Sequence, residues 1–233
     1  MSGSRQKPAP TKQSKTEGQP VVPDSVELET KVSPSQNRAR NTFETILSIA
    51  GTLLSEVGFE RLSTNMICKR AGLTPPALYR YFPNKYAILH ELGRRLMEAQ
   101  DEAVFAWIHD GGLNTQTFEE TVESTLRLQK EVNEVTRAFP GGAWILRVMR
   151  VIPALKEVRL ESRELVAKEV LDALRETLPD IAEDRLVTAT RLTIELMFSA
   201  TEMAIEAPEQ ADNITQEVCF LVASYHDRLR QNP

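Results

Sequence analysis

Thr64, Asn65, Lys69, Thr74, Tyr79, Arg80, Tyr81 and Lys85 bring hydroxyls, an amide and cations into one short stretch around a single glycine, Gly72. From Thr64 to Phe82 the chain reads T-N-M-I-C-K-R-A-G-L-T-P-P-A-L-Y-R-Y-F. Apolar residues at 67, 71, 73, 78 and 82 have the spacing of two short helices closing onto a third, which leaves 65, 69, 75, 76, 77, 80 and 81 outward. Groups of this kind at the start of an exposed helix make and accept hydrogen bonds rather than break covalent ones, and the edges they match are those of the DNA major groove. The pattern is a helix-turn-helix. An ordinary helical hairpin would share the apolar spacing, but not the turn glycine, the capped third helix and the basic flanks together.

Bond-making chemistry has no comparable support. His90, His109 and His226 stand alone, with no H-E-x-x-H or Cys/His cluster, so no metal and no other cofactor is expected. There is no G-x-S-x-G elbow and no P-loop, and Glu202 with Glu206 reads as a solvated helix face. The chain is therefore not expected to be an enzyme.

Three elements must position the outward set. Phe43, Ile46, Leu47, Ala50, Leu54 and Val57 recur at helical spacing until Gly58 stops the first helix. Ser63 and Thr64 are N-cap residues for a second, ending at Ala71-Gly72, and Thr74 caps a third with Pro75 at its first position. Pro83-Asn84 then breaks the chain before a long fourth helix, about 85–109, with Tyr86, Leu89, Gly93, Leu96, Gln100, Ala103 and Trp107 on one face. Charge agrees with this division. The net charge is −5, yet residues 36–96 carry nine Lys/Arg against four Glu, while 97–233 carry 14 Lys/Arg against 25 Asp/Glu. A basic segment in front of an acidic one suggests nucleic-acid contact confined to the front.

Further helices are expected at about 116–137, from Ala143, from Ala154 to Leu178, from Ile181 to Glu206 and from Asn213 to Arg230, with breaks at Pro153, Pro179 and Pro208. The fold class is all-α: a helix-turn-helix domain over 35–84, continuing into the connecting helix 85–109, and a helical body over 110–233. Residues 1–34 are rich in Pro, Ser, Gln, Thr and Lys and read as a disordered tail, in which Arg5, Lys7, Lys12 and Lys15 precede any acid. No apolar run approaches the roughly 20 residues that span a bilayer. Cys68 and Cys219 lie far apart, and the start of the chain has no signal-peptide core, so a cytoplasmic location is expected.

The run A-G-L-T-P-P-A-L-Y-R-Y-F-P-N-K-Y-A-I-L, Ala71 to Leu89, resembles the signature of the tetracycline-repressor (TetR/AcrR) family of bacterial regulators. The resemblance covers roughly residues 38–90. Tyr81 stands where His is commoner in the family, and two consecutive prolines stiffen the groove-reading surface. The resemblance makes Tyr79, Tyr81 and Lys85 a phosphate clamp, with Thr64 and the start of the fourth helix adding donors. Asn65, Thr74, Pro75, Pro76 and Ala77 take base-facing positions. Arg80 either reads a guanine edge or binds phosphate. Arg38 and Arg40 begin the first helix, where cations oppose the helix dipole, so an external anion such as phosphate would rationalise them; a solvated face is the alternative.

The same resemblance gives the body dimerisation and effector binding. The helix from Ile181 to Glu206 carries two apolar stripes, one with Leu192, Leu196, Ala200 and Met203, the other with Val187, Ile194, Phe198 and Ile205, so it is buried on two sides. The second stripe, with Val218, Leu221, Val222 and Tyr225 of the last helix, is the expected homodimer interface, unless one stripe is simply buried within the subunit. Trp144, Arg147, Met149 and Arg150 are candidate pocket residues for a small amphipathic effector carrying an anionic group, although the arginines could instead pair with glutamates. The function implied is repression at a near-palindromic operator in double-stranded DNA. Activation or co-regulation, and a helical enzyme or ligand-binding protein with a vestigial head, remain alternatives.

Overall fold

The helix ends follow from local caps. In a computed structural model, which describes residues 26–31 and 37–231, Ser63 Oγ accepts the Met66 N–H at 3.3 Å and starts α2 (Thr64–Ala71). Gly72 takes the left-handed conformation (φ 63°) that ends it, which a Cβ would disfavour. Thr74 stands at the cap of α3 (Pro75–Tyr79) without a side-chain bond, and Pro75 has no N–H to satisfy. Asn84 accepts the Ala87 N–H at 3.0 Å and opens α4 (Lys85–His109). In front of these lies α1 (Asn37–Arg61), which leaves helical geometry at Gly58 (φ 73°) and resumes for a last turn. The Trp144 ring lies against Gly58, where a Cβ would stand 3.0 Å from it.

After α4 come α5 (Phe118–Ala138), opened by a Thr117/Glu120 capping box, α6 (Gly142–Val151), α7 (Lys156–Thr177), α8 (Glu183–Glu206) and α9 (Ala211–Gln231). The only other regular elements among the described residues are two 3-10 turns, at Pro153–Leu155 and Pro208–Gln210. No helix among them is long and apolar enough to cross a membrane.

Two apolar cores organise the chain. The first joins α1–α4 to α6, with Ile46, Leu54, Ile67, Leu78 and Phe82 fully buried and Phe43 stacked on Phe82 at 4.8 Å. Each such side chain contributes about 1.5–3 kcal/mol by leaving water. The second lies among the C-terminal half of α4 (Ala103, Trp107), α5, α7, α8 and α9. Since α4 supplies Ile88, Leu92 and Leu96 to the first core and Trp107 to the second, it is one rigid member of both.

Residues 26–31, which the composition assigns to the tail, lie against the head. The Lys31 N–H donates to Tyr81 O at 2.9 Å and Asn84 Nδ2 donates to Glu27 O at 2.9 Å. Val26, Leu28 and Thr30 are half-buried in alternation with exposed Glu27, Glu29 and Lys31. The period-2 pattern V-E-L-E-T is the signal for this docking. Arg5, Lys7, Lys12 and Lys15 lie outside the described residues.

Candidate functional site

Packing decides what α2 and α3 present to solvent. With Ile67, Cys68 and Leu78 turned into the first core, Asn65, Lys69, Thr74, Pro75, Pro76 and Arg80 are exposed, Tyr79 is 41% exposed, and Thr64 and Ala77 are half-buried. Thr64 Oγ1 and the Tyr79 hydroxyl share a hydrogen bond at 3.0 Å, which ties the start of α2 to the end of α3. Arg70 is engaged by Glu56 at 2.7 Å. Arg38, Arg40, Lys69 and Arg80 make no ion pair among the described residues, so their charge faces outward unneutralised. Two further head carboxylates are paired: Glu91 accepts from Arg94 and Arg95, and Glu44 accepts both Arg95 terminal nitrogens, which holds the Glu44 carboxyl below its usual range.

Two assigned contacts move inward. Tyr81 is 6% exposed, its ring edge-on to Phe43 at 6.2 Å. The helical spacing that points it outward does not extend past Tyr79, where α3 ends and the chain turns Tyr81 and Phe82 together onto α1. Lys85 donates from Nζ to Phe59 O and Leu62 O, both at 3.2 Å, with the ammonium 4.2 Å from the Phe59 ring centre. Burial lowers its pKa. Its charge meets carbonyls at the end of α1, where a cation is favoured, and locks α4 to α1. Lys85 is thus a structural clamp of the head.

The body holds an apolar cavity of about 70 Å3, lined chiefly by Val104, Trp107, Leu128, Val132, Val166, Val170, Ile194, Met197 and Phe198, with Gln100, Thr125, Gln129, Thr193, Thr201 and His226 as polar members. None of Trp144, Arg147, Met149 or Arg150 reaches it. Met149 is 1% exposed with its sulfur against Gly93, Trp144 packs over Gly58, and the Arg147 guanidinium lies 4.9 Å from the Trp144 ring centre. Arg150 donates to Glu202 at 3.2 Å. Most of the apolar face of α6 is consumed in the seam between head and body; Ala143, Leu146, Arg147 and Arg150 line only a small cleft of about 10 Å3 against Glu202, Ile205 and Glu206 of α8. No pattern within one helix marks the cavity, because its wall is assembled from α4, α5, α7, α8 and α9.

The double stripe of α8 is also redistributed. Ile194 is 7% exposed, Val218 6% and Val222 1%, while Val187, Phe198, Ile205 and Tyr225 are half-buried, so most of the assigned interface faces the subunit's own core. Leu221 alone of that set is open, at 58%. Of the other α8 stripe, Leu192 (51%), Leu196 (43%) and Met203 (54%) are bare and Ala200 is buried, with Phe220 (49%) beside Leu221 on α9. Ile194 and Phe198 line the cavity instead.

Comparison with known proteins places these features. Residues 46–92 match the profile of the bacterial regulatory proteins of the tetR family. The chain is 26% identical over 194 residues to the HTH-type transcriptional regulator UidR of Escherichia coli K12, covering 79% of this chain and 90% of that protein. Against the class C tetracycline repressor protein of Escherichia coli, identity is 39% over 54 residues, 23% of this chain and 25% of the repressor. The crystal structure of a TetR-family transcriptional regulator from Streptomyces coelicolor superposes with a TM-score of 0.56 at 23% identity, over 81% of this chain and 99% of the other, which establishes the fold.

Proposed function

Because this chain belongs to the tetR family of bacterial regulatory proteins, we propose that it is a sequence-specific repressor whose dimer grips a near-palindromic operator and releases it when a small molecule enters the body. It is a DNA-binding regulator that acts as a dimer, and not an enzyme. The observation that carries the reading is the outward surface of α2 and α3, where Asn65, Thr74, Pro75, Pro76, Ala77 and Arg80 surround unneutralised charge on a chain of net charge −5.

In this reading α3 enters the major groove. Arg80 takes a guanine edge, Thr64 and Tyr79 meet phosphate as a hydrogen-bonded pair, and Arg38 and Arg40 add cations from the start of α1. The Lys85 clamp holds the geometry without touching DNA. Two heads must sit about 34–36 Å apart to enter successive grooves. The spacing is set by the dimer, which we place on Leu192, Leu196 and Met203 of α8 and Phe220 and Leu221 of α9, packed as four helices about a twofold axis. Release follows from α4, since any ligand that widens the cavity pushes on Gln100 and Trp107 of the helix that also carries the head core. A differential of about 1–3 kcal/mol between the two states lowers operator affinity about 5- to 150-fold.

Binding-site selection from random duplexes, followed by titration against salt, tests this. A twofold motif is expected, with affinity falling steeply as salt rises, by a log-log slope of several units for about 6–10 phosphate contacts. Arg80→Ala should relax the motif at defined positions by about 1–3 kcal/mol per half-site. Equal affinity for unrelated duplexes, or a salt-insensitive complex, would refute the function. Wild-type protein should sediment at twice its 26.2 kDa chain mass and Leu196→Asp as a monomer.

A further inference from the structure

Among the described residues five buried side-chain N or O atoms have no hydrogen-bond partner, and three of them, Gln100 Oε1, Thr193 Oγ1 and His226 Nε2, belong to the cavity wall. Buried polar atoms are almost always paired in native proteins, so three orphans around one cavity need an explanation. The other polar wall residues are satisfied: Gln129 Nε2 donates to Thr201 Oγ1 at 2.7 Å and Thr125 Oγ1 donates to Thr121 O at 2.7 Å. The orphans sit on three different helices, α4, α8 and α9, and converge on one cavity.

Their donor or acceptor character is fixed by their neighbours. Thr136 Oγ1 gives its only proton to Val132 O at 2.7 Å, so it can only accept from Gln100, whose Nε2 donates to it at 2.6 Å. The Gln100 amide is thereby oriented with Oε1 as a free acceptor, 1% exposed at the residue level. Burial pushes His226 down to about 4, so its ring is neutral at physiological pH and Nε2 offers either a lone pair or an N–H. Thr193 can donate and accept. The wall contains no Lys, Arg, Asp or Glu, so an anion entering it would lose its hydration with no cation to replace it.

Resting on the reading of this cavity as the effector site, we infer that its ligand is a neutral, largely apolar small molecule bearing a hydroxyl or amide-type group, which donates to Gln100 Oε1 and hydrogen-bonds with Thr193 and His226. Anionic compounds are excluded. The cavity of about 70 Å3 is well below the about 300–1,000 Å3 of typical ligand sites, so a ligand has to part the helices as it binds. Because its donor is held by Gln100 on α4, recognition of the polar group and displacement of α4 are one event.

Calorimetric titration with 2-naphthylmethanol, 2-methylnaphthalene and 2-naphthoate at about pH 7.5 separates these properties. The alcohol should bind about tenfold more tightly than the hydrocarbon, one further hydrogen bond being equivalent to about that factor, and about 100-fold more tightly than the carboxylate. Gln100→Leu should abolish the preference for the alcohol over the hydrocarbon. Thr193→Val, a near-isosteric change at a half-buried position, should reduce the same preference and provides the test if the α4 variant does not fold. Naphthoate binding as tightly as the alcohol overturns the inference. So does indifference to the hydroxyl, retention of the preference in both variants, or no binding of any probe up to its solubility. Anisotropy of a labelled selected operator keeps the two levels apart. Alcohol binding that leaves the DNA complex intact contradicts the regulatory reading but not the ligand class, whereas release by naphthoate alone contradicts the class and supports the regulation.

Discussion

Head and body are both helical, yet they handle buried polarity in opposite ways. Among the described residues the head buries one polar side chain, Glu91, and saturates it with two arginines. The body, taken with the C-terminal half of α4 that packs into it, buries Gln100, Asp101, Ser124, Gln129, Asn133, Ser162, His226 and six threonines, and all five unpartnered atoms are there. A core that is dry and fully paired holds one geometry, as a surface that reads DNA to within a fraction of an ångström requires. A core with a cavity and unmet hydrogen bonds is less stable and open to a ligand that completes it. On the proposed function, rigidity falls where specificity is needed and incompleteness where response is needed.

Truncation of matched core residues breaks this comparison most directly. Phe82 is fully buried and stacked on Phe43, so Phe82→Ala should destabilise the head by about 3–5 kcal/mol, read from urea unfolding, and abolish operator binding. Phe198→Ala, the same truncation at a half-buried position beside an existing cavity, should lose less, about 1–2 kcal/mol. Equal losses at the two sites would mean that the body is packed as tightly as the head.

Lys85 sharpens the contrast from within the head. Replacing it with Met keeps most of the stem and removes two charge-assisted hydrogen bonds, at a cost of about 1–2 kcal/mol after allowance for burial that already disfavours the ammonium. DNA affinity should fall for all sequences while the salt slope stays that of wild type. A slope smaller by about 1 would show that the ammonium leaves the Phe59 and Leu62 carbonyls for a phosphate.

Legibility in the sequence divides along the same line. Caps and breakers at Ser63, Gly72, Asn84 and Pro83 act within a few residues, so α2, α3 and α4 are readable almost to their ends. The outward set from Asn65 to Arg80 is equally local. Tyr81 escapes because α3 is only five residues long and the chain leaves helical register after it. The cavity is illegible for another reason: its wall draws on five helices, and a residue such as Phe198 carries the same apolar signal whether it meets a partner subunit or a void. A double stripe reports burial on two sides without reporting which side is the outside.

Proton linkage offers a finer test of the body. Burial pushes Asp101, which accepts a 2.7 Å hydrogen bond from Ser162, up to about 6 from 3.8. The folded state then holds this proton more tightly than the unfolded chain, so the stability Asp101 contributes is complete below about pH 4 and is lost as pH rises toward 6. For His226, pushed down to about 4 from 6.5, the neutral ring contributes stability above about pH 6.5 that is lost as pH falls toward 4. The two slopes oppose and largely mask each other in the wild type. Asp101→Asn should therefore gain about 1–2 kcal/mol at pH 7 relative to wild type and nothing at pH 4. His226→Leu should show its relative gain on the acid side. Differences from wild type that do not vary with pH in urea titrations would remove both groups from the linkage.

The smallest expected effect is the most discriminating, because it reverses sign between the regions. Val166 is 3% exposed and lines the cavity, so Val166→Ile places one methylene group in empty space and should stabilise the body by about 0.8 kcal/mol or less. For a domain of this size that raises the thermal midpoint by about 2–3 °C. The same variant should weaken 2-naphthylmethanol, since the added group occupies space the ligand needs. Ala50 in α1 is fully buried in the head core, so Ala50→Val should cost about 1–3 kcal/mol through overpacking. Calorimetric melting of the two variants decides the matter. If Val166→Ile destabilises as Ala50→Val does, the body has no slack for a ligand to exploit, and the division into a rigid reader and an incomplete, responsive body fails.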